Sequence, residues 1–247
     1  MIANYRMIAQ GSVDAQAQVS SLIDSLTDAE YAEPSRLPGW SRAHVVAHLI
    51  GNTHAQTRQV DYALRGEQIE VYTGGQQTRN GDIERRSALA PADLRAELRE
   101  AHFAWAHAAA QVDEQVAAAP VAYRDGTVVD VLAGRWIESL VHAVDLGIAT
   151  YTCRNWPADF STVLLGYLLQ RLPAGQQVRL EATDAAYDET VGAGLGAGLG
   201  TGDAVHLRGP IAALAGWLAD RGPASDVESL GAALGELGPY PRGSLPR

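Results

Sequence analysis

The sequence predicts an α+β fold: an N-terminal four-helix bundle followed by a smaller C-terminal α/β domain. Three observations carry this. The first 150 or so residues divide into segments with helical apolar spacing, separated by breaks rich in Pro and Gly. After about Trp156 strand-like alternation enters between helical runs. The length, 247 residues with 47% hydrophobic content, suffices for one large core or two ordinary ones. The division is placed after Cys153, giving residues 1–153 to the bundle and 154–247 to the α/β domain.

The first helix is expected over Ser12 to Leu26, where Val13, Val19, Leu22 and Ile23 recur among polar residues. It stops before EPSRLPGW, Glu33 to Trp40, whose two prolines and glycine break the period. Ser41 stands as the N-cap of a second helix that can end at Gly66. The polar, glycine-containing stretch Glu67 to Ser87 reads as a long loop with a short turn of helix at most, of the kind that often carries function. A third helix fits Ala90 to Val116, with Pro91 in its first turn and Leu94, Leu98, Phe103 and Ala104 on its inner side. The fourth fits Val128 to Tyr151. In the C-terminal part a helix over Phe160 to Leu172 precedes the strand-like QVRLEAT, then come the strand-like AVHLRG and the helix PIAALAGWLADRG. The tail from Pro223, rich in Gly, Pro and Ser, is expected to be only partly ordered. GAGLGAGLGTG, Gly192 to Gly202, superficially matches a dinucleotide fingerprint, but no helix opens within it, so it reads as a hairpin connection.

Composition narrows the function. A net charge of -10 with no lysine at all argues against a phosphate-backbone partner, so nucleic acid is not expected. No apolar run reaches the roughly 18 residues a membrane span needs, and no secretory signal is visible, so a cytoplasmic protein without a membrane partner is expected. The single cysteine, Cys153, rules out an internal disulfide framework and a Cys-rich zinc site; it reads as structural. Any metal must be held by His and carboxylate.

Glu138 and His142, in RWIESLVHAVDLG, stand at i and i+4 and so share a helix face. With Arg135 and Asp145 they form a polar side opposite Trp136, Leu140, Ala143 and Val144, which on its own describes a solvated stripe. The second helix offers another stripe, His44, His48 and Asn52. One of its histidines with Glu138 and His142 would make a two-His, one-Glu set, which leaves zinc the open position a catalytic site requires. Spacing does not choose between His44 and His48. His102 and His107 diverge on their helix and read as surface or packing residues, His54 lies off the His48 stripe, and His206 reads as structural in a strand.

LPGWSRAHVVAHLIGN and RWIESLVHAVDLG together resemble the mycothiol-dependent maleylpyruvate isomerases, and the resemblance continues more weakly through GDAVHLRGPIAALAGWLADRG. It implies a DinB-like four-helix bundle, a zinc (or other divalent metal) cofactor held by His48, Glu138 and His142, and mycothiol as second cofactor. It also implies that Arg79, in TRNGDI, and Arg221, in ADRG, face the anionic substrate or the thiol across the domain junction as catalytic and cofactor-binding groups.

The implied activity is a cis-trans isomerisation in which a zinc-bound thiolate adds to an electrophilic carbon, zinc having lowered the thiol's pKa, while the guanidinium groups hold a carboxylate and the developing enolate. The partners are then a small-molecule electrophile and a low-molecular-weight thiol. Three other readings stay open: a mycothiol S-transferase acting on a xenobiotic or natural-product intermediate, a zinc-water hydrolase, and a non-catalytic metal-stabilised binding module.

Overall fold

The computed structural model describes residues 4–192 and 204–241. They fall into two compact units, one running to Ala149 and the other starting at Thr150. The glycine-rich run, after its first residue, lies outside the described residues.

In the first unit α1 (Tyr5–Asp24) begins seven residues ahead of the expected Ser12 and buries Ile8, Ser12, Ala15, Val19 and Ile23. A loop follows, and α2 (Arg42–Ala63) opens at Ser41, whose hydroxyl accepts from the His44 amide. The stretch expected as a long loop contains α3 (Gly75–Ser87), entered through Gly74 at φ 77. This corrects the loop assignment. Ile83 is the one buried side chain of α3, so tertiary docking on α2, and no amphipathic pattern of its own, decides the helix.

Helix α4 (Pro91–Ala110) starts on Pro91, whose missing N–H costs nothing in the first turn. It buries Leu94, Leu98, Ala101 and Trp105. Phe103, expected inside, is 78% exposed. The 3–4 spacing Leu94, Leu98, Ala101, Trp105 sets the inner face, and Phe103 lies off it. The helix also ends earlier than Val116: Asp113 accepts from the Val116 amide and caps a separate short α5 (Glu114–Ala117).

Helix α6 (Val128–Asp145) starts in a reciprocal Thr127–Asp130 capping box and stops six residues before the expected Tyr151. Gly147 at φ 70 takes the left-handed conformation that ends helices. Helix α1 packs on α4 and α6, and α2 packs on the same two, so the four long helices close a ring, with α3 lying on α2. Trp105 fills part of the interior and donates through Nε1 to Ser12 Oγ at 3.0 Å. The close approach of α1 and α6 depends on Gly11, where an added Cβ would sit 2.5 Å from the Trp136 ring.

In the second unit α7 (Ala158–Leu168) passes into a tighter turn before β1 (Val178–Ala182). Then follow β2 (Asp188–Val191), β3 (Val205–Gly209), α8 (Ile211–Leu218) and β4 (Glu228–Gly231). The sheet order is β2-β1-β3-β4. β1 and β3 are parallel, with Leu180 opposite Leu207, and the outer strands are antiparallel to them. Val178, Leu180, Val205 and Leu207 are buried, and α8, backed by α7, packs on these two strands. β4 lies within the tail expected to be only partly ordered, of which the described residues reach Pro241. Cys153 is buried in this unit, and its sulfur fills the space left by Gly216 and Gly222.

Among the described residues no helix is long and apolar enough to cross a membrane.

Candidate metal centre

The site is built on facing turns of α2 and α6. Their axial register is tied from outside the ring: the Arg36 amide donates to Asp145 O at 2.8 Å, and Arg42 Nε donates to Leu146 O at 2.9 Å. The loop before α2 and the end of α6 thereby hold together, and His48 faces Glu138.

His48 and His142 each present Nε2 to the same carboxylate oxygen, Glu138 Oε2, at 3.0 and 3.3 Å. The three donor atoms lie within 4.8 Å of one another. The two rings meet edge to face with centroids 4.6 Å apart, and Trp40 covers His48 at 5.8 Å. His44 is occupied elsewhere. Its Nδ1 stands 2.7 Å from Ser41 Oγ and accepts from the Ser41 amide at 3.3 Å, so it plays the part of the reciprocal capping residue. The geometry thus brings together His48, Glu138 and His142 where spacing alone left His44 as a rival.

The polar side of α6 is no solvated stripe. Arg135 and Asp145 are both buried, at 0% and 2% exposure. Asp145 Oδ2 accepts from His142 Nδ1 at 2.9 Å, fixing the ring with Nε2 toward Glu138. Arg135 donates to Ser139 Oγ and to Asn52 Oδ1. The Asp145 role is local, one helical turn from His142, whereas that of Arg135 depends on the Asn52 that α2 places opposite.

The charge states follow. Burial would raise the Glu138 carboxyl, but hydrogen bonds from His142 and His48 outweigh it and hold the group well below the usual range. Burial likewise opposes charge on His142, yet its bonds to Asp145 and Glu138 win and raise it to about 9. For His48, burial and the neighbouring His142 lower the pKa to about 4 against the pull of Glu138. At neutral pH the triad holds a carboxylate, an imidazolium and a neutral imidazole.

The donor set fits a divalent metal. Two imidazole nitrogens and one carboxylate oxygen converge, and His142 is braced through its other nitrogen by a carboxylate, as metal-ligating histidines commonly are. Among the described residues the cluster contains three such groups and no fourth.

Arg79, on α3, reaches the site: its Nη2 lies 3.0 Å from His48 Nδ1, and its guanidinium stands 5.7 Å from the centre of the Tyr72 ring. His48, Asn52, Tyr72, Arg79, Asp82 and Arg86 line a narrow cleft of about 30 Å³. Arg221 lies in the second unit just after α8, where its Nη1 donates to Ala219 O at 2.9 Å and its guanidinium stands over Tyr240 at 5.6 Å. Asn52 and Tyr72 line the cleft without having been singled out as site residues; the stripe His44, His48, Asn52 was the available signal for the first.

Known proteins share this fold. A crystal structure of the mycothiol-dependent maleylpyruvate isomerase aligns with 98% of this chain and 96% of its own, at a TM-score of 0.74 and 24% identity. A structure of a histidine-to-alanine mutant of that isomerase aligns over the same shares at 0.72 and 24%. At this identity the likeness is one of fold: a DinB-like helical unit with a small α/β unit after it. No curated protein matches the sequence. The family model described as the mycothiol maleylpyruvate isomerase N-terminal domain matches residues 13–147, which span both halves of the triad and α3. With more than half of its length matched, the chain belongs to the mycothiol maleylpyruvate isomerase family.

Proposed function

We propose that this chain is a metal-dependent, mycothiol-using cis-trans isomerase of the maleylpyruvate type. The observation that carries the reading is the convergence of His48, Glu138 and His142 within 4.8 Å beside a cleft containing Arg79. Among the described residues three such groups converge and no fourth, which favours a catalytic over a closed structural site.

His48, Glu138 and His142 would hold zinc or another divalent ion, which when bound favours the thiolate form of a low-molecular-weight thiol. Asp145 keeps the His142 ring oriented, and Trp40 shields the His48 ring. Glu138, shared between two histidines, is held as a carboxylate and serves as a ligand, leaving it no part as a general base. Arg79 supplies a fixed positive charge at the cleft for the substrate carboxylate and for the enolate that develops on thiol addition. Addition turns the cis double bond into a single bond. Rotation and expulsion of the thiol then give the trans product with the thiol regenerated. We assign Arg221 a supporting role toward the anionic substrate by family resemblance.

The test is incubation of zinc-loaded protein with mycothiol and maleylpyruvate, followed by absorbance and mass. Trans product with the thiol recovered supports the proposal. A stable thiol adduct, which marks an S-transferase, or unchanged substrate overturns it.

A further inference from the structure

Arg135 is fully buried, and among the described residues no carboxylate pairs with it within ion-pair distance. Burial lowers its pKa to about 10, with Glu138 opposing, so it stays charged at neutral pH. A buried cation without an ion-pair partner is costly and calls for a structural return. Its return is a hydrogen bond to Asn52. Guanidinium nitrogens only donate, so the Asn52 atom that meets Arg135 Nη1 must be the carbonyl oxygen Oδ1. The amide therefore has one orientation. Its Nδ2 falls on the side of Tyr72, 3.5 Å from the hydroxyl, and both residues line the cleft beside His48.

Arg79 and Arg86 line the same cleft. Its one acidic residue, Asp82, is engaged by Arg85 at 3.2 Å and Arg86 at 3.7 Å. The lining is therefore rich in donors. We propose that Asn52 is a substrate-binding residue, its Nδ2 donating to a carboxylate oxygen of a small anionic electrophile, and that Arg135 is the positioning residue that fixes the amide this way round. The inference rests on the isomerase reading for its substrate class, and it gives that class a determinant: electrophiles with a carboxylate are preferred over their esters.

Maleate, a cis-dicarboxylate that stays unisomerised when no thiol is present, tests this on the zinc-loaded protein without mycothiol. The Asn52 side-chain amide signals, assigned by triple-resonance spectra, are expected to shift saturably with maleate. Asn52→Asp keeps a partner for Arg135 but turns the cleft-side donor into an acceptor; it is expected to retain zinc and weaken maleate binding by about tenfold or more, the loss of a bond to a charged group. Arg135→Gln is expected to raise the KM for the anionic substrate more than it lowers kcat, with recovery in Arg135→Lys, which can still donate to Oδ1. Amide signals that stay still while maleate binds, no maleate binding, or an Asn52→Asp affinity within about twofold of the parent's each overturn the proposal. Failure of the isomerase reading shows up separately, as maleate binding without turnover of maleylpyruvate.

Discussion

Arg79 Nη2 stands 3.0 Å from His48 Nδ1, the ring nitrogen opposite the one that faces Glu138. Arginine only donates, so Nδ1 is the acceptor and Nε2 carries the hydrogen toward Glu138. A metal on Nε2 needs that lone pair, which moves the hydrogen of a neutral ring to Nδ1 and sets donor against donor. Zinc loading is therefore expected to switch the His48 tautomer and release Arg79. Nitrogen-15 spectra of the ring before and after zinc addition check this, and an unchanged tautomer would refute it.

Arg79→Ala removes a contact that opposes the metal-binding tautomer. Its zinc affinity, measured against a competing chelator, is expected to be at least that of the parent chain, while turnover of an anionic substrate falls by roughly 100-fold, the scale of one electrostatic donor. A loss of zinc in this variant would show that Arg79 supports the ligands instead.

Asp145→Asn leaves all three ligand atoms in place and weakens the brace on His142. Zinc affinity is expected to drop by about 10–100-fold, the cost of an altered outer partner of a ligating histidine. His48→Ala, which removes a ligand atom, is expected to lose more. Equal metal content in His48→Ala and the parent would remove His48 from the site.

Zinc binding at neutral pH must displace the proton on His142, whose pKa of about 9 lies well above that of an ordinary histidine. Calorimetry in buffers of different ionisation enthalpy is expected to report release of about one proton near pH 7, falling toward none as pH passes the raised pKa.

The same two shifts set the pH dependence of the metal-free protein. His142 is raised, so its contribution is complete below its unfolded pKa of 6.5 and lost as pH climbs through about 9. His48 is lowered, so its contribution is present above 6.5 and lost as pH falls through about 4. From these two groups, urea midpoints are expected to peak near pH 6.5. A monotonic profile between pH 4 and 9 would contradict the assigned charge states.

Gly11→Ala should improve helix propensity but place a methyl against the buried ring of Trp136. Overpacking is expected to dominate, with a net loss of about 1–2 kcal/mol in denaturant unfolding.

What the sequence made legible follows from where the deciding information sits. α2, α4 and α6 announce themselves through apolar spacing, the first two also through the Ser41 cap and the first-turn Pro91, all local. β1 and β3 alternate because one face is buried. The strand β4 is exposed throughout and β2 nearly so, and both form by pairing along the edges of β3 and β1, so no alternation marks them. α3 offers only Ile83 to the interior and looks like a polar loop. At the site, the pairing of Glu138 with His142 is a matter of helical spacing. The pairing of Arg135 depends on a partner that no local window of sequence contains, Asn52 of α2.

Cys153 lies against Gly216 and Gly222, where even one added carbon would meet its sulfur at 2.5 to 3.0 Å. A protein proposed to handle thiols and electrophiles thus keeps its own sulfur out of their reach, without self-alkylation or mixed-disulfide capture. It also carries a one-site clock. N-ethylmaleimide is expected to label the native chain only as fast as the packing around Cys153 opens, so the rate of mass gain times that opening.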